Sequence, residues 1–134
     1  MAEAFTFELV SPEKLLFSKQ VQMVTVPGTE GEYGVMSGHE SLITTIKPGV
    51  LQIYAENDAT VTDHIFVAGG FAEVTQTRLT VLAGEAILVS DLKRSEIEEQ
   101  AKKLAAQIEN ASDVERDALL EQQEVIDAKL QVAA

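Results

Sequence analysis

Along the first two thirds of the chain, apolar and polar side chains alternate with a period of two. Phe5, Phe7 and Leu9 are separated by Thr6 and Glu8, the pattern of a strand with one face in a core. The run Val21, Met23 and Val24-Thr25-Val26 stops at Pro27. Leu42-Ile43-Thr44-Thr45-Ile46 stops at Lys47-Pro48-Gly49, and Val50-Leu51-Gln52-Ile53-Tyr54 runs to a turn signal at Asn57-Asp58. Thr60-Val61-Thr62 leads into Ile65-Phe66-Val67-Ala68. Phe71-Ala72-Glu73-Val74 and Leu79-Thr80-Val81-Leu82-Ala83 flank a turn at Thr75-Gln76-Thr77. Short strands with regularly spaced turns predict a β-sandwich or barrel over residues 1–89. Gly69-Gly70 inside an apolar run predicts a bulge or a close approach by another backbone.

After Asp91 the period becomes helical. Ile97, Ala101, Leu104, Ala105 and Ile108 recur on one face, and Asn110-Ala111-Ser112 interrupts them. Ser112-Asp113-Val114-Glu115 fits a capping box that opens a second helix. That helix carries Ala118, Leu119, Val125, Ile126 and Leu130 on a wide apolar arc. No glycine or proline follows Gly84, which favours unbroken helix. Residues 90–134 are therefore predicted as an antiparallel helical hairpin, a second domain after the β domain of 1–89. A hairpin this small buries little apolar surface alone, so its apolar face must lie on the sandwich or on another protein.

Composition narrows the function by exclusion. The chain has no cysteine, which removes disulfides and thiolate metal sites. Its net charge of −12 argues against nucleic acid and against direct docking on anionic lipid. The charge is spread: eleven acids and four bases fall in residues 1–89, eleven and six in 90–134. It reads first as a solvated acidic surface. No apolar run is long enough to span a membrane, so no direct membrane insertion is expected. Met1-Ala2-Glu3-Ala4 lacks the basic start and apolar stretch of a secretion signal.

Chemistry-bearing constellations are few. The two histidines, His39 and His64, are too few for a zinc site without cysteine. His39, beside Glu32 and Glu40 in sequence, reads as a structural or interface hydrogen bond in a glycine-rich turn. Gly38-His39-Glu40-Ser41-Leu42 is not a nucleophile elbow. Gly28, Gly31 and Gly34 are turn formers rather than a phosphate loop, because no helix opens after them. No catalytic residue, no metal and no enzymatic activity are expected.

The densest local signal is Val26 to Gly49, which holds five glycines and two prolines. It resembles the signature of the ε subunit family of F-type ATP synthases, called δ in mitochondria. The matching residues are Gly28, Glu30, Gly31, Gly34, Gly38, His39, Leu42, Lys47, Pro48 and Gly49. Val10-Ser11-Pro12-Glu13 with Phe17-Ser18, and Gly69-Gly70-Phe71-Ala72-Glu73-Val74 followed by Val81-Leu82-Ala83, agree in order and spacing. The resemblance implies a non-catalytic rotor subunit of the central stalk, peripheral on the cytoplasmic face of a bacterial inner membrane. It implies γ and the c-ring as partners, and the α and β subunits as possible partners of the hairpin, which in many bacterial members extends along γ into the catalytic head and blocks ATP hydrolysis; with six acids against two bases on the second helix, that inhibition is expected to be weak here. The loop Glu30-Gly31-Glu32-Tyr33 would then face the c-ring, and Met36, Gly38, His39, Leu42 and Ile43 would contact γ. Strand alternation places at least one of Leu42 and Ile43 in the sandwich core. Some bacterial members bind ATP through an aliphatic-Asp-x-x-Arg-Ala motif opening the first helix. Asp91 and Arg94 match its charged positions, while Ser90 and Ser95 depart from it, so ATP is expected at most as a weak regulatory ligand. The competing reading is a free-standing sandwich adaptor that binds a soluble partner through its hairpin.

Overall fold

A computed structural model describes residues 4–57 and 59–133. The expected turn at Asn57-Asp58 lies partly outside the described residues. Eight strands precede two helices: β1 Phe5–Val10, β2 Leu15–Val21, β3 Met23–Gly28, β4 Gly31–Val35, β5 Leu42–Thr45, β6 Gly49–Tyr54, β7 Asp63–Val74, β8 Arg78–Leu88, α1 Arg94–Glu109 and α2 Asp113–Val132. The chain divides into two compact units, one ending at Leu88 and the other beginning at Val89.

The strands follow one hydrogen-bonded path, β2-β1-β8-β7-β6-β3-β4, with β5 paired to β7. This path doubles over to make a sandwich. The first half of β7, Asp63 to Val67, pairs with β6, and the second half, Phe71 to Val74, pairs with β5. β1 runs parallel to the first half of β8 alone, from Arg78 to Leu82. One layer is thus β2-β1-β8-β7-β5 and the other β8-β7-β6-β3-β4, with both long strands shared.

The corner lies at Gly69-Gly70. Ile65 and Val67 are buried before it, and Ala72 and Val74 after it. The inward parity therefore changes across the two glycines, as it must when a strand leaves one layer for the other. Both glycines have positive φ, +72° and +107°. A Cβ on Gly70 would stand 1.8 Å from the Leu82 carbonyl oxygen. Of the two readings of this pair, close backbone approach is the observed one. The β7–β8 register continues through the corner without a shift, from Ala68↔Glu85 to Gly70↔Ala83.

The alternation of β1 is realised: Phe5, Phe7 and Leu9 are all buried, and Phe7 is fully enclosed. Other expectations need correction. Val21 closes β2 rather than opening β3, a strand whose mostly exposed side chains give no alternation to read. β3 continues through Pro27 to Gly28. Proline has no N–H to donate, but its carbonyl still accepts from Lys47 N at 3.0 Å. As expected, Thr60–Thr62 lead into β7, which starts at Asp63. The first helix begins at Arg94, and Val89–Asp91 form a separate 3-10 turn.

In the second unit, α1 and α2 pack against each other. Ser112 is the N-cap of α2, and its Oγ accepts from Glu115 N at 3.4 Å. α1 buries Ile97 and Leu104, but α2 has no buried residue. Along the expected arc, Leu119, Val125, Ile126 and Leu130 are half-buried and Ala118 is exposed. A two-helix layer has no third side to close over that arc.

Candidate functional site

The glycine-rich segment folds as a braced hairpin. β3 and β4 pair from Val24↔Val35 to Gly28↔Gly31, leaving Thr29 and Glu30 as the loop. The expected loop Glu30–Tyr33 is thus shorter: Gly31, Glu32 and Tyr33 lie on β4. Gly31 takes a φ of +128° at the turn, which L residues avoid. The brace is the chain from Thr44 to Lys47. Tyr33 Oη hydrogen-bonds Thr44 Oγ1. Thr29 Oγ1 and Thr45 Oγ1 are 2.8 Å apart, and Thr29 N donates to Thr45 O at 3.1 Å. Glu30 is exposed at the tip, held by a rigid stem.

Met36, Gly38 and His39 share the next turn. His39 N donates to Met36 O at 3.2 Å, with Gly38 at φ +84° in between. Gly38 N donates to Gln76 O at 2.8 Å, tying this turn to the β7–β8 turn. The His39 Nδ1–H group donates to the Glu40 carbonyl at 2.7 Å. Met36 and His39 are half-buried.

Neither Leu42 nor Ile43 belongs to the core; they are 40% and 68% exposed. β5 pairs with β7 along one side, at the rim of its layer. Leu42 stands on the inward row with Val74, but at the edge; Ile46, just beyond β5, supplies the buried side chain there.

Ile43 belongs instead to an outward apolar strip that sequence reading missed. Register places Thr45, Phe71, Leu82 and Val10 in one outward row across β5, β7, β8 and β1, with Ile43 diagonal to Phe71. Phe71 is 38% exposed; Leu82 and Val10 are half-buried. The signal was present as a second apolar parity in strands whose first parity fills the core. The next outward row begins at Ile43 and is polar beyond it, Glu73-Thr80-Glu8, and Glu8 Oε1 accepts from Arg78 Nη1 at 2.7 Å.

Asp91 and Arg94 lie in the second unit. Asp91 is exposed in the 3-10 turn, ahead of α1. Arg94 Nε donates to Glu98 Oε1 at 3.1 Å, and Arg94 Nη1 donates to the carbonyls of Leu130 at 2.9 Å and Ala133 at 3.4 Å. To bind a phosphate through these atoms, the guanidinium must leave α2. An open groove at the hairpin bend is lined by Ala106, Gln107, Asn110, Ala111, Glu115 and Leu119, and its charged group is a carboxylate. Among the described residues no group of three or more His, Cys, Asp or Glu side chains could hold a metal, and no helix is long and apolar enough to cross a membrane.

Comparison with known proteins gives a consistent answer. Residues 4–89 match the family model described as ATP synthase, Delta/Epsilon chain, beta-sandwich domain. The ATP synthase epsilon chain of Rhodospirillum centenum is 51% identical over 138 residues, covering 100% of this chain and 94% of the relative. That of Rhodospirillum rubrum is 44% identical over 128 residues, covering 90% and 94%. Among solved structures, a chain of the Euglena gracilis mitochondrial ATP synthase (OSCP/F1/c-ring) superposes with a TM-score of 0.80 at 20% identity, over 96% of this chain and 80% of that one. A chain from the central stalk/c-ring of the Tetrahymena thermophila mitochondrial ATP synthase gives 0.64 at 12% identity, over 99% and 98%. At those identities the superpositions speak for the fold.

Proposed function

The chain belongs to the ATP synthase delta/epsilon family, and from that premise we propose that it is a non-catalytic rotor subunit of the central stalk. In this reading the sandwich joins γ to the c-ring, on the cytoplasmic side of a bacterial inner membrane. The observation that carries it is the outward strip of Ile43, Phe71, Leu82 and Val10. It stands on strands cross-linked by hydrogen bonds, so a partner gripping it pulls on a rigid layer. An exposed apolar strip within an acidic surface suits a protein partner, and γ is that partner. Leu42, on the opposite row of β5 from Ile43, and Met36, Gly38 and His39 in the turn before it are further contacts of γ in this reading. The exposed carboxylate of Glu30 meets the polar loops of the c-ring, positioned by the Tyr33 and Thr29 braces.

Co-purification from native membranes tests the assignment: α, β, γ and the c-ring should come with this chain, and isolation with an unrelated soluble partner would overturn it. The strip is tested separately. Ile43→Asp or Phe71→Asp should weaken γ binding at least about tenfold, as for an apolar anchor of an interface, with the sandwich melt unchanged. Wild-type affinity in both folded variants removes the strip from the interface.

We extend the proposal to ATP as a weak ligand of Arg94, because binding must displace two carbonyl contacts. Calorimetric titration should give weak binding that Arg94→Ala abolishes. Equal binding by that variant places the nucleotide elsewhere.

A further inference from the structure

The hydrogen bonds of the sandwich leave one seam open. β2 ends the strand path, and Ala86 to Leu88 of β8 pair with β7 alone, because β1 leaves β8 at Leu82. Between these two edges lies a cleft of about 200 Å3. Every side chain lining it is apolar. Leu9, Phe17, Ile65 and Ala86 are buried or half-buried there, while Leu16 and Leu88 stay 40% and 46% exposed at its rim. The Phe17 ring is set by Phe7, with centroids 5.7 Å apart at 54°, so the core shapes the cleft from below. Cations gather at the same seam. Residues 1–89 hold four, Lys14, Lys19, Lys47 and Arg78, and Arg78 is bound to Glu8 at 2.7 Å. Lys14 and Lys19 bracket Leu15-Leu16-Phe17. Register puts Lys19 on the inward row with Phe17, through Phe7↔Lys19 and Leu9↔Phe17. Its Nζ stands 4.0 Å from Asp63 Oδ2, a long, largely exposed pair of little strength. Asp63 Oδ2 also accepts from Thr62 Oγ1 at 3.1 Å, so that carboxylate keeps a partner when Lys19 turns away.

We propose that this cleft is a binding site for a single-chain fatty carboxylate, with its chain between Phe17 and Ala86 and its head group on Lys19. Volume sets the size of the ligand. The cleft is somewhat larger than the ~150 Å3 apolar cavity that admits benzene, so about six to eight carbons enter and a two-chain lipid does not. Charge sets the head group. The chain as a whole carries −12 and repels anions, yet the charged side chain on the row that enters the cleft is the cation Lys19. A free hydrocarbon gains from the apolar lining alone; a carboxylate gains from the lining and from Lys19 together. The cleft opens on inward rows, whereas the strip from Ile43 to Val10 faces outward. The site is therefore independent of the rotor assignment, and either stands if the other fails.

The test is a titration of the full chain with sodium octanoate at neutral pH, followed by methyl NMR. The methyls of Leu16, Ile65 and Leu88 should shift saturably, with a Kd of about 0.1–1 mM, as for a ligand of about ten heavy atoms. Octan-1-ol should bind about two- to fivefold more weakly, the range for one exposed charge pair, and octyltrimethylammonium more weakly still. Lys19→Gln should lower octanoate affinity to that of octanol and leave octanol unchanged. Ala86→Phe, which fills the cleft, should remove the shifts with every ligand. If that variant does not fold, the head-group series and the Lys19 variant decide. Absence of saturation at these methyls below about 10 mM octanoate would overturn the site. So would equal affinity for all three head groups, an unchanged octanoate Kd in Lys19→Gln, or shifts at Ile43 and Phe71 in place of the cleft. Phosphatidylglycerol vesicles should leave the same methyls unmoved, because their chains stay in the bilayer; shifts there would make this face a membrane surface and overturn the single-chain site.

Discussion

The sandwich draws its core from every strand except β5, in one cluster running from Phe5 to Ala83. The hairpin buries Ile97 and Leu104 on α1, while its longer helix, 20 residues, buries none. Both units begin from clear apolar periodicity, so the difference is one of geometry. Two sheet layers cover each other's inner faces, whereas two helices leave each apolar stripe half open. The sandwich is therefore over-determined and suits a part that must not deform. The hairpin depends on the Arg94 contacts and the Ser112 cap at its ends and belongs to the low-stability part of the molecule, from which moving elements are drawn.

The corner of the sandwich gives the largest expected effect. Gly70→Ala places a Cβ 1.8 Å from the Leu82 carbonyl oxygen at a φ of +107°, so backbone must move in both long strands. A loss of at least about 3 kcal/mol is expected, read as a fall in the β-sheet melt. Phe7→Ala, in the fully enclosed centre, should cost about 3–5 kcal/mol by the same measurement. Wild-type melting in either variant would contradict the picture of a rigid, closed core. By contrast, half-buried Leu119→Ala on α2 should cost about 1 kcal/mol and move the helical signal alone.

How much of this was legible depended on how many faces each residue uses. β1 was readable because Phe5, Phe7 and Leu9 face one core and Thr6 and Glu8 face outward. The helices and the Ser112 cap were readable for the same local reason. β2 was not, because Leu15 and Leu16 are 54% and 40% exposed and break the alternation. β4 was hidden by its glycines and charges, which signal turns. The union of 65–68 and 71–74 into β7 was hidden by Gly69-Gly70, which punctuate the sequence yet turn a corner in space. At the candidate site, Glu30, Gly38 and His39 stood out as members of the glycine-rich motif, and Met36 as the apolar side chain beside it. Phe71 and Leu82 could not, since a strand with both parities apolar does not say which faces outward. The Arg94 contacts had no signal at all: their acceptors are main-chain carbonyls, and any residue at 130 or 133 supplies one.

The N-cap sharpens the contrast at lower cost. Ser112→Ala removes the side-chain acceptor for Glu115 N and should destabilise the hairpin by about 1 kcal/mol. Circular dichroism should show the helical fraction melting earlier and the β fraction unmoved. A shift of both transitions together would mean that the two units unfold as one.

The smallest effect is expected where the hairpin is asked to regulate. α2 carries Asp113, Glu115, Asp117, Glu121, Glu124 and Asp127 against Arg116 and Lys129, six acids to two bases. To inhibit hydrolysis, an extended hairpin has to reach the catalytic head and dock there. Against an acidic surface that docking is opposed, since like charges brought together at an interface cost several kcal/mol. Closure, in turn, is favoured by the half-buried arc of Leu119, Val125, Ile126 and Leu130 against α1 and by the hydrogen bonds of Arg94 to the end of α2. These terms act in the same direction, toward a hairpin that stays folded. Ending the chain at Val89 should therefore leave assembly intact and raise ATP hydrolysis by the isolated complex by no more than about twofold, equivalent to ~0.4 kcal/mol of docking. The control is the γ-bound fraction, which must match between the full chain and the shortened one, because the strip from Ile43 to Val10 is retained in both. A rise of tenfold or more at equal assembly would show that α2 docks in spite of its charge, and that the weakly packed unit, not the rigid one, governs the resting activity.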